Sequence, residues 1–404
     1  MALANFFRSG HKPTLISAFI YSDISFMVWV LLGPLAIFVG RDLNLTNDQQ
    51  YTLVAIPLLT GALLRIPIGI LVDRFGPMRV GLVCQLLVIG ALFLAFQGEL
   101  TTVGGIYTLA ATLGIAGTSM AVALPLTSRW YPDEYQGLAL GVAGAASSGT
   151  VFAALLAPGL AEAYGWRTVF GFALIPTVLA FIFYLLMAKD SPNRPPVEKI
   201  SRYANVLAEQ DVWWFMLFYA LAFGGVIALA SILVLYFYQQ YQLTAIEAGY
   251  FAAVCIFAGS ALRPVGGWLA DVWGGIRSMQ ILYTTVTVSV AIVALAPASS
   301  FISMALLMVT MAALGMASGA VFQLVPLRFR RQVGATTGMV GAAGGLGGFL
   351  LAEILGKSKV LTGDFQLGFF IFAGLAALSL LGIRMVKSRW RTTWGSGEVT
   401  SARV

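Results

Sequence analysis

This sequence predicts an all-α integral membrane protein, with twelve transmembrane helices arranged as two six-helix bundles. Three observations carry that prediction. The 404 residues are 59% hydrophobic and only 10% charged, with a mean hydropathy of +0.87, whereas a soluble domain is about a quarter charged. The apolar residues fall in runs long enough to cross about 30 Å of hydrocarbon as helix. The second half of the chain also repeats motifs of the first at a near-constant offset.

Six apolar runs, at about 14–38, 51–72, 79–97, 104–128, 137–161 and 166–188, make an N-terminal bundle over residues 1–188. A polar linker follows at 189–211, with Pro192, Pro195 and Pro196. Six more runs, at about 212–238, 246–270, 277–297, 300–323, 334–356 and 365–386, make a C-terminal bundle over 212–386, and a basic tail occupies 387–404. The first run is too long for a cleavable signal peptide and lacks a small-residue cleavage site. With both termini cytoplasmic, 18 of the 24 Lys and Arg fall on that side. Only Arg41, Arg167, Lys357 and Lys359 fall outside, while Arg65 and Arg263 fall within the membrane. The positive-inside rule therefore sets the orientation, and the expected location is the cytoplasmic (inner) membrane, multi-pass.

Several function classes are excluded on composition. Cys84 and Cys255 both lie in apolar runs, which removes a disulfide framework and a thiolate metal site. His11, near the N-terminus, is the only histidine, so His-dependent triads and His-ligated metals are excluded too. No metal or other cofactor is expected. The net charge of +7 reads as a topological signal and not as a nucleic-acid surface. Glycines on the fifth run (Gly137, Gly141, Gly144, Gly149) and the eleventh (Gly334, Gly338, Gly341, Gly344, Gly345, Gly347, Gly348) suit close helix packing. No Gly-Lys-Ser/Thr follows them, so they do not form an ATP-binding loop. An enzyme would need acid–base or nucleophilic groups clustered at one depth, and none is present.

The segment Gly61, Leu64, Arg65, Gly69, Leu71, Asp73, Gly76, Arg79 recurs as Gly259, Leu262, Arg263, Gly267, Leu269, Asp271, Gly274, Arg277, every pair 198 residues apart. Gly137, Gly141 and Gly144 recur 197 later as Gly334, Gly338 and Gly341, and Gly114, Pro125 and Leu126 recur 201 later as Gly315, Pro326 and Leu327. Duplicated halves of this kind place a substrate path between them. The loop Gly69…Asp73-Arg74-Phe75-Gly76…Arg79 resembles the signature loop of the major facilitator superfamily. Its second copy keeps Gly, Asp, Gly and Arg but has Val272 in the place of Arg74. The expected role of Asp73, Arg74, Arg79, Asp271 and Arg277 is a conformational latch between adjacent helices at a cytoplasmic helix end.

Arg65 and Arg263 each stand mid-span, eight residues before the loop aspartate, at equivalent depths in the two halves. Arg at bilayer depth costs at least about 2.5–3.5 kcal/mol and cannot shed its proton. A matched pair facing one central path is a binding site for an anion. The planar, forked guanidinium suits a flat, multi-oxygen one. Two carboxylates share the membrane: Asp23, open to a structural pairing or a proton-coupling role, and Glu353, read as an interfacial residue.

With these residues in place, the chain resembles the nitrate/nitrite porters of the major facilitator superfamily, and most of all bacterial assimilatory nitrate transporters. The resemblance covers nearly the whole chain. It rests on Leu64-Arg65, Leu262-Arg263-Pro264, the glycine-rich fifth and eleventh spans, Val321 to Pro326, and the tail Arg389 to Ser396. It implies that Arg65 and Arg263 clamp nitrate or nitrite, with Tyr219 and Phe223 enclosing the anion. Family members commonly carry Phe at the place of Met120 and Asn at those of Ser147 and Ser318. Met fills the space of a ring and Ser keeps a hydroxyl donor, so Met120 and Ser147 are carried as pocket residues. The function implied is secondary transport of nitrate or nitrite by a monomer, through alternating access. Proton-coupled uptake is expected, with Asp23 as the candidate carrier; the alternatives are nitrate/nitrite exchange, a carrier of another small anion such as a carboxylate, or a transceptor.

Overall fold

The computed structural model describes residues 9–98, 102–132, 143–144, 146–192, 206–329 and 333–394, and among them only helices and turns occur. We number the helices by span: α1 Lys12–Asp42, α4 Val103–Ser128 and α8 Ala245–Trp273; α2 Asn47–Phe75, α3 Pro77–Phe96, α5 Gly149–Tyr164, α6 Trp166–Met187, α7 Gln210–Tyr241, α9 Gly275–Ala294, α10 Ser300–Arg328, α11 Val333–Thr362 and α12 Gln366–Trp394. Eleven are long and apolar enough to cross a membrane, and the described part of α5 is the shorter twelfth. The expected start of that span, with Gly137 and Gly141, lies outside the described residues. Most helices outrun their apolar cores by a turn or less, because their ends reach into a polar zone. α12 goes furthest, to Trp394, eight residues beyond the expected end of its span.

The duplication is written into the backbone. The described residues with positive φ are Asn44, Gly76, Gly98, Gly165, Gln242, Gly274, Ala296 and Gly363. They form four pairs, each 198 residues apart. Gly76 (φ 93°) and Gly274 (φ 89°) turn the chain out of α2 and α8, a conformation that only glycine adopts without strain. The helix starts match as well. Thr46 and Gln49 form a capping box on α2, and Thr244 with Glu247 forms the equivalent box on α8.

The halves differ where prolines differ. α1 breaks at Leu31, because Pro34 has no N–H for the carbonyl of Val30. α7 has Ile232 at the equivalent place and runs unbroken for 32 residues. α8 breaks at Leu262, so Arg263 and Pro264 open a new helical segment. α2, with Pro67 one step further along, stays continuous through Arg65. α4 tightens to a 3-10 turn at Gly114–Thr118, where a Cβ on Gly114 would lie 1.8 Å from Thr60 Oγ1.

The halves meet along α1–α7, α2–α11 and α5–α8. At the end away from the termini, here the distal end, Tyr51 donates to Gln239 Oε1 at 2.5 Å and Arg41 donates to the Tyr238 hydroxyl. A Cβ on Gly33 would stand 2.2 Å from the Ser231 carbonyl oxygen. Toward the termini, Gly69, Gly144 and Gly338 have open space where a Cβ would be. This corrects the expectation that Gly144 and Gly338 mark tight packing. The close approaches of α11 fall instead at Gly344, Gly345 and Gly347.

At the termini end the ion pairs formed between described residues lie within each half. Asp73 pairs with Arg129 of α4 at 2.7 Å, a partner outside the expected latch residues, while the Arg74 guanidinium lies over Phe75, 5.6 Å from the ring centre. Asp271 makes no ion pair among the described residues. Asp190 caps α3 by accepting from the Met78 N–H at 2.9 Å. Asp211 accepts from Arg328 at 2.7 Å and from Trp390 Nε1 at 2.8 Å, and also from Arg389, so it ties α7 to α10 and α12.

Two outcomes test this packing. Gly33→Ala should force α1 from α7 and lower thermal stability in detergent by about 1–3 kcal/mol; an unchanged melting profile would refute the close contact. His11 Nδ1 accepts from the Thr14 N–H at 3.3 Å and so caps α1. Burial first, then the charge on Lys189, lowers the His11 pKa below the usual 6.5. The folded form thus binds its proton less readily than the unfolded chain. The cap contributes fully above the ordinary value and is lost as pH falls through the lowered one. Wild type should therefore lose thermal stability on the acid side of this range, and His11→Asn, which keeps a capping acceptor without titrating, should lose less.

Candidate functional site

Six helices from both halves bring one cluster together at mid-depth: Arg65 (α2), Arg263 (α8), Tyr219 and Phe223 (α7), Phe26 and Trp29 (α1), the Gly117 carbonyl (α4) and the Gly341 carbonyl (α11). The two arginines flank Phe223. The Arg65 guanidinium carbon stands 5.4 Å from the ring centre and that of Arg263 5.3 Å. Tyr219, one turn earlier, stacks on Phe223 with centroids 5.1 Å apart and planes within 4°. Phe322 of α10 meets Tyr219 edge-on at 4.6 Å. The stack fits because α11 offers glycine here. A Cβ on Gly344 would come within 2.7 Å of the Tyr219 ring.

Arg65 is buried, at 5% exposure. Its Nε donates to the Gly117 carbonyl at 3.1 Å, and Nη1 donates to the Gly341 carbonyl across the seam between the halves. Nη2 is buried without a hydrogen-bond partner. Trp29 lies on its other side, 5.4 Å away, held by its own Nε1 bond to the Pro57 carbonyl at 2.8 Å. Arg263 is half-buried, and Nη2 donates to the Tyr219 hydroxyl at 2.9 Å. Among the described residues neither arginine pairs with a carboxylate. Carbonyl dipoles and aromatic faces offset part of the charge, at roughly 0.5–2 kcal/mol per cation–π contact. They neutralise none of it.

Of the remaining expected site residues, Ser147 lies one contact away. Its carbonyl accepts from Ser260 Oγ of α8 at 3.2 Å, three residues before Arg263. Met120 is buried in the core one turn after Gly117. Ser318 is buried and donates to the Gly315 carbonyl at 2.7 Å. None of these three hydrogen bonds to an arginine. Asp23 sits elsewhere: its Oδ1 accepts from Ser148 Oγ and from the Gly149 N–H, both at 2.8 Å. It thereby caps the N-terminus of α5, where a carboxylate is favoured. Glu353 lies 3.9 Å from Lys357 on the same helix face. No group of three or more His, Cys, Asp or Glu that could hold a metal occurs among the described residues.

The sequence reading missed Phe26, Trp29 and the Gly117 carbonyl. Phe26 and Trp29 look like any aromatic of an apolar run, and a carbonyl leaves no trace in sequence. Gly341 was read as a packing glycine, yet its carbonyl is what Arg65 reaches.

Comparison with known proteins follows the same lines. Residues 17–352 match the family model described as Major Facilitator Superfamily. The chain is 30% identical to the "Nitrite extrusion protein" of Bacillus subtilis over 359 residues, covering 88% of this chain and 89% of that one. It is 30% identical over 383 residues to the "Probable nitrate/nitrite transporter NarK2" of Mycobacterium tuberculosis, with 92% and 95% covered. The "Probable nitrate/nitrite antiporter NarK1" of Thermus thermophilus is also 30% identical, with 90% and 88% covered. Among solved structures, a bacterial homologue of the human lysosomal transporter Spinster, in an inward-facing and occupied conformation, superposes with a TM-score of 0.67 at 16% identity, covering 94% and 98% of the two chains. With this span of matches and these helices, the chain belongs to the major facilitator superfamily, within its nitrate/nitrite porter family.

Proposed function

We propose that this protein carries nitrate or nitrite across the cytoplasmic membrane by alternating access, with the anion held between Arg65 and Arg263. Both termini face the cytoplasm, and the monomer is the working unit. The observation that carries the reading is Arg65 Nη2, a charged donor buried without an acceptor. Leaving such a donor unmade costs about 1–3 kcal/mol, more when it is charged. A small oxyanion beside Phe223 supplies the missing acceptor and offsets the repulsion between the two guanidiniums. Because one arginine comes from each half, the bound anion draws the halves together. Closure at the distal end and open space about Gly69 and Gly338 fit a state that exchanges anion with the cytoplasm.

Inward movement of one negative charge costs about 2.3 kcal/mol per 100 mV of inside-negative potential, so uptake needs coupling. Proton-coupled uptake is the first reading, with Asp23 as proton carrier. Exchange against internal nitrite is the second, and one feature favours it: Asp23 is engaged as a helix cap. Exchange needs no proton carrier.

Nitrate counterflow in liposomes tests the clamp. Arg65→Lys and Arg263→Lys should each lose at least about tenfold in flux, since a charge-assisted hydrogen bond contributes about 1.5–3 kcal/mol. Full activity in both variants would remove the bidentate role. Tyr219→Phe leaves Arg263 Nη2 without its acceptor and should raise KM about fivefold or more, with the protein still folded. For coupling, Asp23→Asn keeps a capping oxygen. Under proton coupling it should abolish uptake driven by a pH gradient while sparing counterflow. Uptake that ignores the gradient but requires internal nitrite would select exchange.

A further inference from the structure

The four basic residues at the distal end are not equivalent. Arg167 pairs with Asp42 at 3.2 Å, and Lys357 lies 3.9 Å from Glu353. Arg41 and Lys359 pair with no carboxylate among the described residues. These two line a single cavity of about 370 Å³, together with Gln50, Gln239, Gln242 and Tyr238, and no acidic side chain contributes to its wall. The acids nearby are turned to other work. Asp42, next to Arg41, accepts from Trp166 Nε1 at 3.0 Å as well as from Arg167. Asp364 accepts from the Gln366 N–H at 2.9 Å. Asp48 is exposed in the first turn of α2, off the lining.

The cavity lies on the seam between the halves. Arg41 and Gln50 come from the first half, Tyr238, Gln239, Gln242 and Lys359 from the second. Its partners are those of the distal closure: Arg41 donates to the Tyr238 hydroxyl and lies over that ring, 5.5 Å from its centre, beside the Tyr51–Gln239 bond. Lys359 donates to the Gly363 carbonyl at 2.8 Å and lies over Phe365, 5.4 Å from the ring centre, and no carboxylate among the described residues neutralises it.

We propose that this cavity is an entry site for the transported anion, in which Arg41 and Lys359 capture a small monoanion from the outer solution before the halves open. The proposal rests on the anion-carrier reading and on the outward orientation of the distal end. Two fixed positive charges in a concave polar wall concentrate anions and raise their arrival rate. The side-chain amides supply further donors to a multi-oxygen anion. An anion on Arg41 competes with Tyr238 for the guanidinium. Arrival therefore loosens one of the hydrogen bonds that hold the halves shut.

The test compares nitrate flux from the two faces, in right-side-out and inside-out vesicles. Arg41→Gln and Lys359→Gln should each raise KM from the distal face about threefold to tenfold at low salt, with kcat within twofold of wild type. The shift should shrink above about 0.1 M salt, where the Debye length falls to about 10 Å, and KM from the other face should stay at the wild-type value. Arg41→Lys, which keeps the charge, should recover most of the affinity. Tyr238→Phe removes the hydroxyl that competes with the anion for Arg41, and should leave distal KM at or below the wild-type value. Wild-type KM in both Gln variants overturns the entry site, as does an equal shift from both faces or the same shift in Tyr238→Phe. Wild-type protein without nitrate flux overturns the carrier reading and the entry site together, which separates that failure from the others.

Discussion

The structure turns on two guanidiniums at membrane depth that no carboxylate among the described residues neutralises. A buried arginine must stay charged, and the low-dielectric interior magnifies whatever remains unbalanced. The protein surrounds these charges with weak compensation: the Gly117 and Gly341 carbonyls, the Tyr219 hydroxyl, and the faces of Trp29 and Phe223. That compensation suffices to hold the side chains in place. It leaves both charges in place, and one donor of Arg65 is without an acceptor. A nearby aspartate would have neutralised the Arg65 charge and supplied the missing acceptor.

Repetition gives the site its symmetry, and the prolines break it. Arg65 stands in an uninterrupted helix and bonds to two neighbouring helices, one in each half. Arg263 opens a new segment at a helix break and bonds only to Tyr219 among the described residues. The two arginines thus differ in how firmly they are held. Phe223 stands between them on α7, an unbroken helix buried along most of its length. When the halves rock, the arginine at the break has the freer path.

The carboxylates elsewhere brace helices and cap their ends. Asp23 caps α5, Asp73 braces α2 against α4, and Asp211 gathers three donors from α10 and α12. The Asp73–Arg129 and Asp211–Arg328 pairs each lie within one half and stiffen it. Across the seam the distal end uses an arginine–phenol bond and a tyrosine–amide bond, which are lighter links that transport can break and remake.

The amino-acid sequence alone determined the membrane class, the span count, the duplication and the depth of both arginines. Each of these depends on local composition or on a fixed spacing, and hydropathy and an offset of 198 are both linear properties. The four pairs of positive φ confirm the repeat in places where the side chains had diverged, as at Gly98 and Ala296. Tertiary structure decided what lies beside what. It chose Arg129 as the partner of Asp73, set Asp23 on a helix end, moved the tight contacts of α11 from Gly338 to Gly344, and selected Trp29 among many buried aromatics. Those outcomes depend on which faces of distant helices meet, and on carbonyl groups that every residue carries alike. A sequence cannot show which carbonyl an arginine will reach until packing has brought the two together.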